Sequence, residues 1–164
     1  MLVREKSDYD RQWIESLLRE RWGSPVIVVH GEAIDAMDLP ALVAEDHMGL
    51  ATYRIRGDEA EIVSLDSVEP RRGIGTALVA TLADRLTRWS ILRLSVTTTN
   101  DNVSALRFYQ RRGFRLVRLR LNAVNEARKI KPSIPLLSEG GIPIRDELDL
   151  CLDLCVSAKH GPTE

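Results

Sequence analysis

The chain has 164 residues, 44% of them apolar and 29% charged, with a formal charge of −1 at pH 7. This length suits one domain with a real core, and the composition is that of a globular protein, not a disordered one. A near-zero charge lacks the basic excess of a nucleic-acid or anionic-membrane binder, and no apolar stretch reaches bilayer-spanning length.

The opening residues, MLVREKSDYD, lack the basic-then-apolar layout of a secretory signal, so the expected compartment is the cytoplasm. Cys151 and Cys155 lack the second pair that a zinc site needs, and His30, His47 and His160 are scattered, so no metal is expected.

Ser7 and Asp10 stand at capping-box spacing, and Trp13, Ile14, Leu17 and Leu18 follow at helical spacing, predicting a helix over 8–21. Gly23, Ser24 and Pro25 stop it. The β-branched run Val26–Val29 predicts a short strand. ALVAE, the turn Asp46-His47-Met48-Gly49 and LATYRI form a hairpin, and a turn at Gly57-Asp58 leads into EAEIVSL. Three antiparallel strands in succession are expected. In the last of them Ile62 and Ser64 alternate with Glu61, Val63 and Leu65.

From Ile74 the period changes. Ala77, Leu78, Leu82 and Leu86 recur at helical spacing, predicting an amphipathic helix that opens at Gly73 and Gly75. ILRLSVTTT follows as a strand with Leu92, Leu94 and Val96 on one face. A helix over 103–112 ends at Gly113, where a left-handed cap is wanted. RLVRLRL alternates basic and apolar residues like a half-exposed strand. A short helix in VNEARKIK, the proline-broken segment PSIPLLSEGGIP and a last strand, RDELDLCLDL, complete the order, with Leu148, Leu150, Leu152 and Leu154 on one face. The fold expected is an α/β (α+β) mixed sheet with helices on both faces and a parallel, right-handed β-α-β unit. One domain over 1–156 and a flexible tail over 157–164 are predicted.

Two segments carry chemistry. Pro70-Arg71-Arg72-Gly73-Ile74-Gly75-Thr76-Ala77 joins a strand to a helix N-terminus through two glycines. Such a turn lets backbone N–H groups and the helix dipole meet an anion, and Arg71 and Arg72 supply ion pairs for a diphosphate. Tight strand–helix packing explains the same glycines equally well. No Gly-Lys-Ser/Thr follows, and the full G-x-G-x-x-G fingerprint is missing. The second segment is Asn102-Val103-Ser104-Ala105-Leu106-Arg107-Phe108-Tyr109-Gln110-Arg111-Arg112-Gly113-Phe114.

Together these segments resemble the GNAT superfamily of acyl-CoA N-acyltransferases. In that family a Gly-x-Gly loop and helix hold the CoA diphosphate, and an N-x-x-A-x-x-x-Y-x-x-x-G-F segment follows. Asn102, Ala105, Tyr109, Gly113 and Phe114 fall in that register. The strings TTNDN and KPSIP…GIPIRDE are similar to those of a subgroup of small bacterial members. One position departs: the loop pattern Gln/Arg-x-x-Gly-x-Gly has Pro70 first, which offers no donor. A register on Arg72, Gly75 and Ala77 fits its looser form.

The resemblance implies acetyl-CoA as co-substrate and an N-acetyltransferase that acts on a small-molecule or peptide amine in a ternary complex. It implies a slot between the fourth and fifth strands, here 59–65 and 92–98, with Ser67 marking the bulge where they part. Leu65, Ser67, Val68, Arg71, Arg72, Gly73, Ile74, Gly75, Thr76, Asn102 and Ala105 would hold the co-substrate. Tyr109 would protonate the leaving thiolate, with Arg107, Arg111 and Arg112 near the phosphates. Glu61 is the first choice of base, followed by Glu59 and Asp66. Asn102 as a helix cap and the carboxylates as exposed strand residues are the plain alternatives. Trp22, Tyr53 and the segment 131–143 are candidate walls for the acceptor, with Asp66, Asp146 and Glu147 drawing a cationic amine. A non-catalytic acetyl-CoA sensor, another acyl-CoA or a hydroxyl acceptor are the competing expectations. Neither nucleic acid nor membrane is an expected partner, and a monomer or homodimer is expected.

Overall fold

The helix predicted over 8–21 begins as a 3-10 turn, Asp8–Asp10, and continues as α1 (Arg11–Trp22) in the computed structural model, which describes residues 1–155. The predicted boundary at 156 and the tail over 157–164 lie outside the described residues. The backbone N–H of Ser7 donates to Asp10 at 2.7 Å, and Gly23, at φ 79, ends α1 left-handed. Before α1 lies a short strand, β1 (Val3–Glu5), which the sequence pattern does not announce.

After α1 the chain makes a two-stranded hairpin, β2 (Val26–Val29) and β3 (Glu32–Asp35), turning at His30 and Gly31. The meander follows as β4 (Ala41–Ala44), β5 (Gly49–Arg56) and β6 (Glu59–Ser67), paired antiparallel. Then come α2 (Ile74–Arg88), β7 (Arg93–Thr99), α3 (Val103–Gln110), β8 (Arg115–Arg120), α4 (Ala123–Ile130) and β9 (Glu147–Asp153). One seven-stranded mixed sheet results, ordered β1-β4-β5-β6-β7-β9-β8. β6 and β7 are the parallel pair that the crossover helix requires. β9 enters between β7 and β8, so β8 becomes an edge strand, more exposed than its alternating pattern predicts.

Each face of the sheet has its own core. Leu42, Ala51, Ile62, Leu94, Val96 and Leu150 pack under Leu78, Leu82 and Leu86 of α2, with Tyr109 and Phe114. Their alternates Val43 and Leu50 pack under Ile14, Leu17 and Leu18 of α1, with Ile27 and Ile34 of the hairpin. Burial on this scale is the main stabilising term of the fold.

Strand β6 breaks the simple alternation. Thr52 pairs with Ser64 while Tyr53 pairs with Ile62, so Val63 is an extra residue. Ile62 lies in the α2 core, Val63 in the α1 core, and Leu65 is back against the α2 core. The bulge therefore sits at Val63, not at Ser67. Tyr53, expected beside the acceptor, is instead 3% exposed in the α2 core. Among the described residues no helix is long and apolar enough to cross a membrane.

Candidate active site

Strands β6 and β7 are paired only from Glu59↔Arg93 to Ile62↔Val96. Beyond that point β6 runs on to Ser67 bonded to β5 alone, and its edge toward β7 is open. On the α2 and α3 side of this fork lies a groove of about 1030 Å³. Leu65 and Ser67 form its floor. The turn before α2 and the first turn of α2 make one wall, and α3 makes the other.

The two glycines of the turn have separate tasks. A Cβ on Gly75 would come within 3.2 Å of the Phe108 ring, so its hydrogen is what lets α2 and α3 meet. Gly73 has open space around it but a φ of 75, and Arg71 is also left-handed at φ 66. Backbone of this kind aims N–H groups into a concavity that suits an anion, here at the N-terminus of a 15-residue helix. Arg71, Arg107, Arg111 and Arg112 face the groove. The carboxylate among them, Glu69, is already paired with Arg72 at 2.7 Å.

Arg112 ties the walls together. Its guanidinium lies 3.5 Å from the Phe108 ring centroid and donates to the Phe108 carbonyl at 2.7 Å and to the Thr76 hydroxyl. Its buried Nε has no partner among the described residues. Sequence reasoning treated Arg112 as one of three basic helix residues and missed Phe108. The missed signal is the pairing of a glycine at position 75 with an aromatic able to fill the space its absent side chain leaves.

Of the residues expected to hold the co-substrate, Leu65, Ser67, Arg71, Gly73, Ile74, Gly75, Thr76, Ala105 and Tyr109 line the groove. Val68, Arg72 and Asn102 do not. Val68 donates its N–H to the Met48 carbonyl at 2.9 Å, and the Asn102 side chain caps α3 by accepting the Ala105 N–H at 3.1 Å.

Tyr109 is 5% exposed and packs edge-on against Phe108 and Phe114. Burial holds its hydroxyl protonated well above the ordinary tyrosine range, and the charge of Asp66 adds to this. No hydrogen bond from the described residues reaches that hydroxyl, which leaves it available to the groove.

Asp66 lies across the fork. After the Val63 bulge its side chain points to the α1 face, where the Trp22 indole N–H donates to both carboxylate oxygens. Burial pushes the Asp66 carboxyl up to about 6, with the Trp22 hydrogen bond pulling the other way. Glu61 is on the same face but five residues back along β6, and Arg54 binds it at 2.7 Å. Glu59 pairs with Arg93. The structure thus brings Asp66 and Tyr109 to the fork and leaves both glutamates behind it. Beside Trp22 a second, mostly apolar pocket of about 400 Å³ opens between α1, the β2–β3 hairpin and α4. Lys131, Ser133, Ile134, Pro135 and Glu147 line it, whereas Asp146 is outside it and accepts the Asn122 N–H.

A model of the acetyltransferase (GNAT) family matches residues 6–114. The chain belongs to this family. GNAT members are acetyl-CoA-dependent acyltransferases, so the chain is an enzyme of that class. It is 44% identical over 145 residues to the uncharacterized protein YxbD of Bacillus subtilis, covering 86% of this chain and 91% of that protein. Among solved structures it resembles an IAA acetyltransferase from Bacillus cereus, with a TM-score of 0.69 and 20% identity over 93% of this chain and 98% of that one. It also resembles Arabidopsis thaliana NAA60 in complex with acetyl-CoA, with a TM-score of 0.65 and 18% identity over 93% and 97% of the two chains. At such identities the structural likeness speaks to fold, and the GNAT fold is what the seven-stranded sheet displays.

Proposed function

We propose that the chain transfers an acetyl group from acetyl-CoA to a primary amine of a small molecule or peptide, by direct attack within a ternary complex in the cytoplasm. The observation that carries this reading is the placement of Asp66 and Tyr109 on opposite sides of one gap in the sheet. Acetyl-CoA supplies the activated thioester. The groove suits it: the arginines and the N-terminus of α2 match a diphosphate.

The chain's own groups divide the chemistry. Backbone groups along Leu65 to Ser67, on the open edge of β6, hold the extended arm of the co-substrate and stabilise the negative oxygen that forms on attack. Asp66, at about 6, is ionised at neutral pH yet basic enough to take the proton of the attacking amine. Tyr109 keeps its proton at neutral pH and donates it to the departing sulfur as the C–S bond breaks. Glu61 is not assigned as the base because Arg54 engages its carboxylate at 2.7 Å behind the fork.

The test is release of CoA thiol from acetyl-CoA against a panel of amines, together with calorimetric titration of CoA. Thiol release that depends on the amine is expected. Tight CoA binding with no amine raising thiol release above background overturns the reading.

A further inference from the structure

Glu147 lines the second pocket without a hydrogen-bonded cation, its nearest being the His30 ring at 3.9 Å. It is 3% exposed. Its Oε2 accepts the backbone N–H of His30 at 3.2 Å, and its Oε1 has no hydrogen-bond partner among the described residues. Neighbouring cations are engaged elsewhere. Lys131 donates to the carbonyls of Trp22 and Val26 at 2.7 and 2.8 Å. Arg21 pairs with Glu20, and Arg120 donates to Asp149 at 3.0 Å. The His30 ring bonds Asp149 at 2.8 Å and stays 3.9 Å from Glu147. A buried carboxylate left in this state is costly, and burial raises the Glu147 pKa accordingly. A cation entering the pocket would offset that cost.

The position of Glu147 determines what kind of cation. It pairs with Thr99 in the ladder, and β7 separates it from β6. Counting forward from Ile62↔Val96 and allowing for the extra residue Val63 brings Asp66 level with Thr99. With β6 and β7 parted at that level, Glu147 and Asp66 are at least two strand spacings apart, on the order of 10 Å or more. An ammonium bound at Glu147 remains protonated and cannot also be the nucleophile at the fork. The pocket around Glu147 is walled by Trp22, Ile27, Val28, Val124 and Ala127, which suit a hydrocarbon chain, and Trp22 links it to Asp66 through its indole N–H.

Resting on the acetyl-transfer reading, we propose that the acceptor is an alkyl diamine or polyamine, with one ammonium held by Glu147 while a second amino group, beside Asp66, attacks the thioester. The attacking nitrogen forms the C–N bond and gives its proton to Asp66, the C–S bond breaks, and the thiolate takes the Tyr109 proton. The ammonium at Glu147 is unchanged throughout.

The experiment compares cadaverine with pentylamine, which has the same chain but a single amino group. It measures kcat/KM for thiol release and, independently, calorimetric binding in the presence of CoA. A charge-assisted hydrogen bond predicts a preference for the diamine of roughly 10- to 100-fold in both measurements. Glu147→Gln should collapse that ratio by raising KM, with CoA affinity retained as the check that the variant is folded. Equal use of the two amines by the unmodified protein, or a preference that survives Glu147→Gln, overturns the proposal. If no amine releases thiol, the acetyl-transfer reading falls. Calorimetry then still decides the site: cadaverine binding that Glu147→Gln abolishes supports it, and no binding refutes it.

Discussion

The indole Nε1 of Trp22 donates to both carboxylate oxygens of Asp66, at 3.2 and 3.1 Å, across 44 positions of sequence. The last residue of α1 is thereby fixed to the β6 residue that the fork exposes. This hydrogen bond lowers a pKa that burial has raised to about 6. Trp22→Phe removes the donor, so the Asp66 pKa should climb further. If Asp66 is the base, the acid limb of kcat/KM against pH should move to higher pH in Trp22→Phe and vanish in Asp66→Asn. An acid limb that both variants leave unmoved would assign it to another group.

Asp66 should also cost stability. Its folded pKa lies above its unfolded value of 3.8, so the folded state binds the extra proton, and stability falls as pH rises from about 4 to above 6. Relieving this should make Asp66→Asn more stable than the parent at pH 7 by about 2–3 kcal/mol, while lowering turnover about 10²–10⁴-fold. Denaturant melts at pH 4 and pH 7 test the first half: the gain should be present at pH 7 and shrink toward pH 4.

Tyr109→Phe keeps the ring contacts with Phe108 and Phe114 and deletes only the hydroxyl. Turnover should fall about 10²–10⁴-fold with little change in CoA affinity. Unchanged kcat would remove Tyr109 from the chemistry.

The two loop glycines should fail differently. Gly73→Asp places a side chain at φ 75 and a negative charge beside the arginines, so CoA affinity should drop while the fold costs only about 1–2 kcal/mol. Gly75→Val pushes into Phe108 and should lower thermal stability as well, by about 1–3 kcal/mol. CoA titration and melting of both variants separate the roles.

A structural clamp is expected at the other end of α1. Asp10 is 1% exposed, and its carboxylate accepts two bonds from Arg4 at 2.7 and 2.8 Å and one from His47 at 2.8 Å. Arg4, chiefly, holds the Asp10 carboxyl well below the usual range. The stabilisation is therefore present above pH 3.8 and drains away as pH falls below it. Arg4 is 44% exposed and Ser7 and His47 still bond Asp10 without it, so Arg4→Ala should cost about 1–2 kcal/mol by denaturant melting at pH 7, and less in acid.

Much of this fold could be read from residue order because the signals were local. The capping pair Ser7 and Asp10, the turn at Gly57-Asp58 and the period change at Ile74 each specify a neighbouring element. The two helices that wall the groove were equally legible, since Gly75, Tyr109 and Gly113 sit at fixed spacing. What escaped depends on partners distant in sequence. The Val63 bulge is defined only against β5, and the preference for Asp66 over Glu61 depends on Arg54 and Trp22. The assignment of Tyr53 to an acceptor wall failed because its face of β5 is covered by α2, a partner distant in sequence.

The single extra residue at Val63 also governs traffic. Because the strand changes facing there, Leu65 and Ser67 serve the groove while Asp66, between them in sequence, faces the other side of the sheet, against Trp22. On the proposed acetyl-transfer reading, two reactants approach through separate doors and meet at a window in the sheet, so neither must leave before the other enters. Deleting Val63 would rotate the rest of the strand by half a turn. Asp66 would then point into the arginine groove, and the doors would no longer open onto the same room.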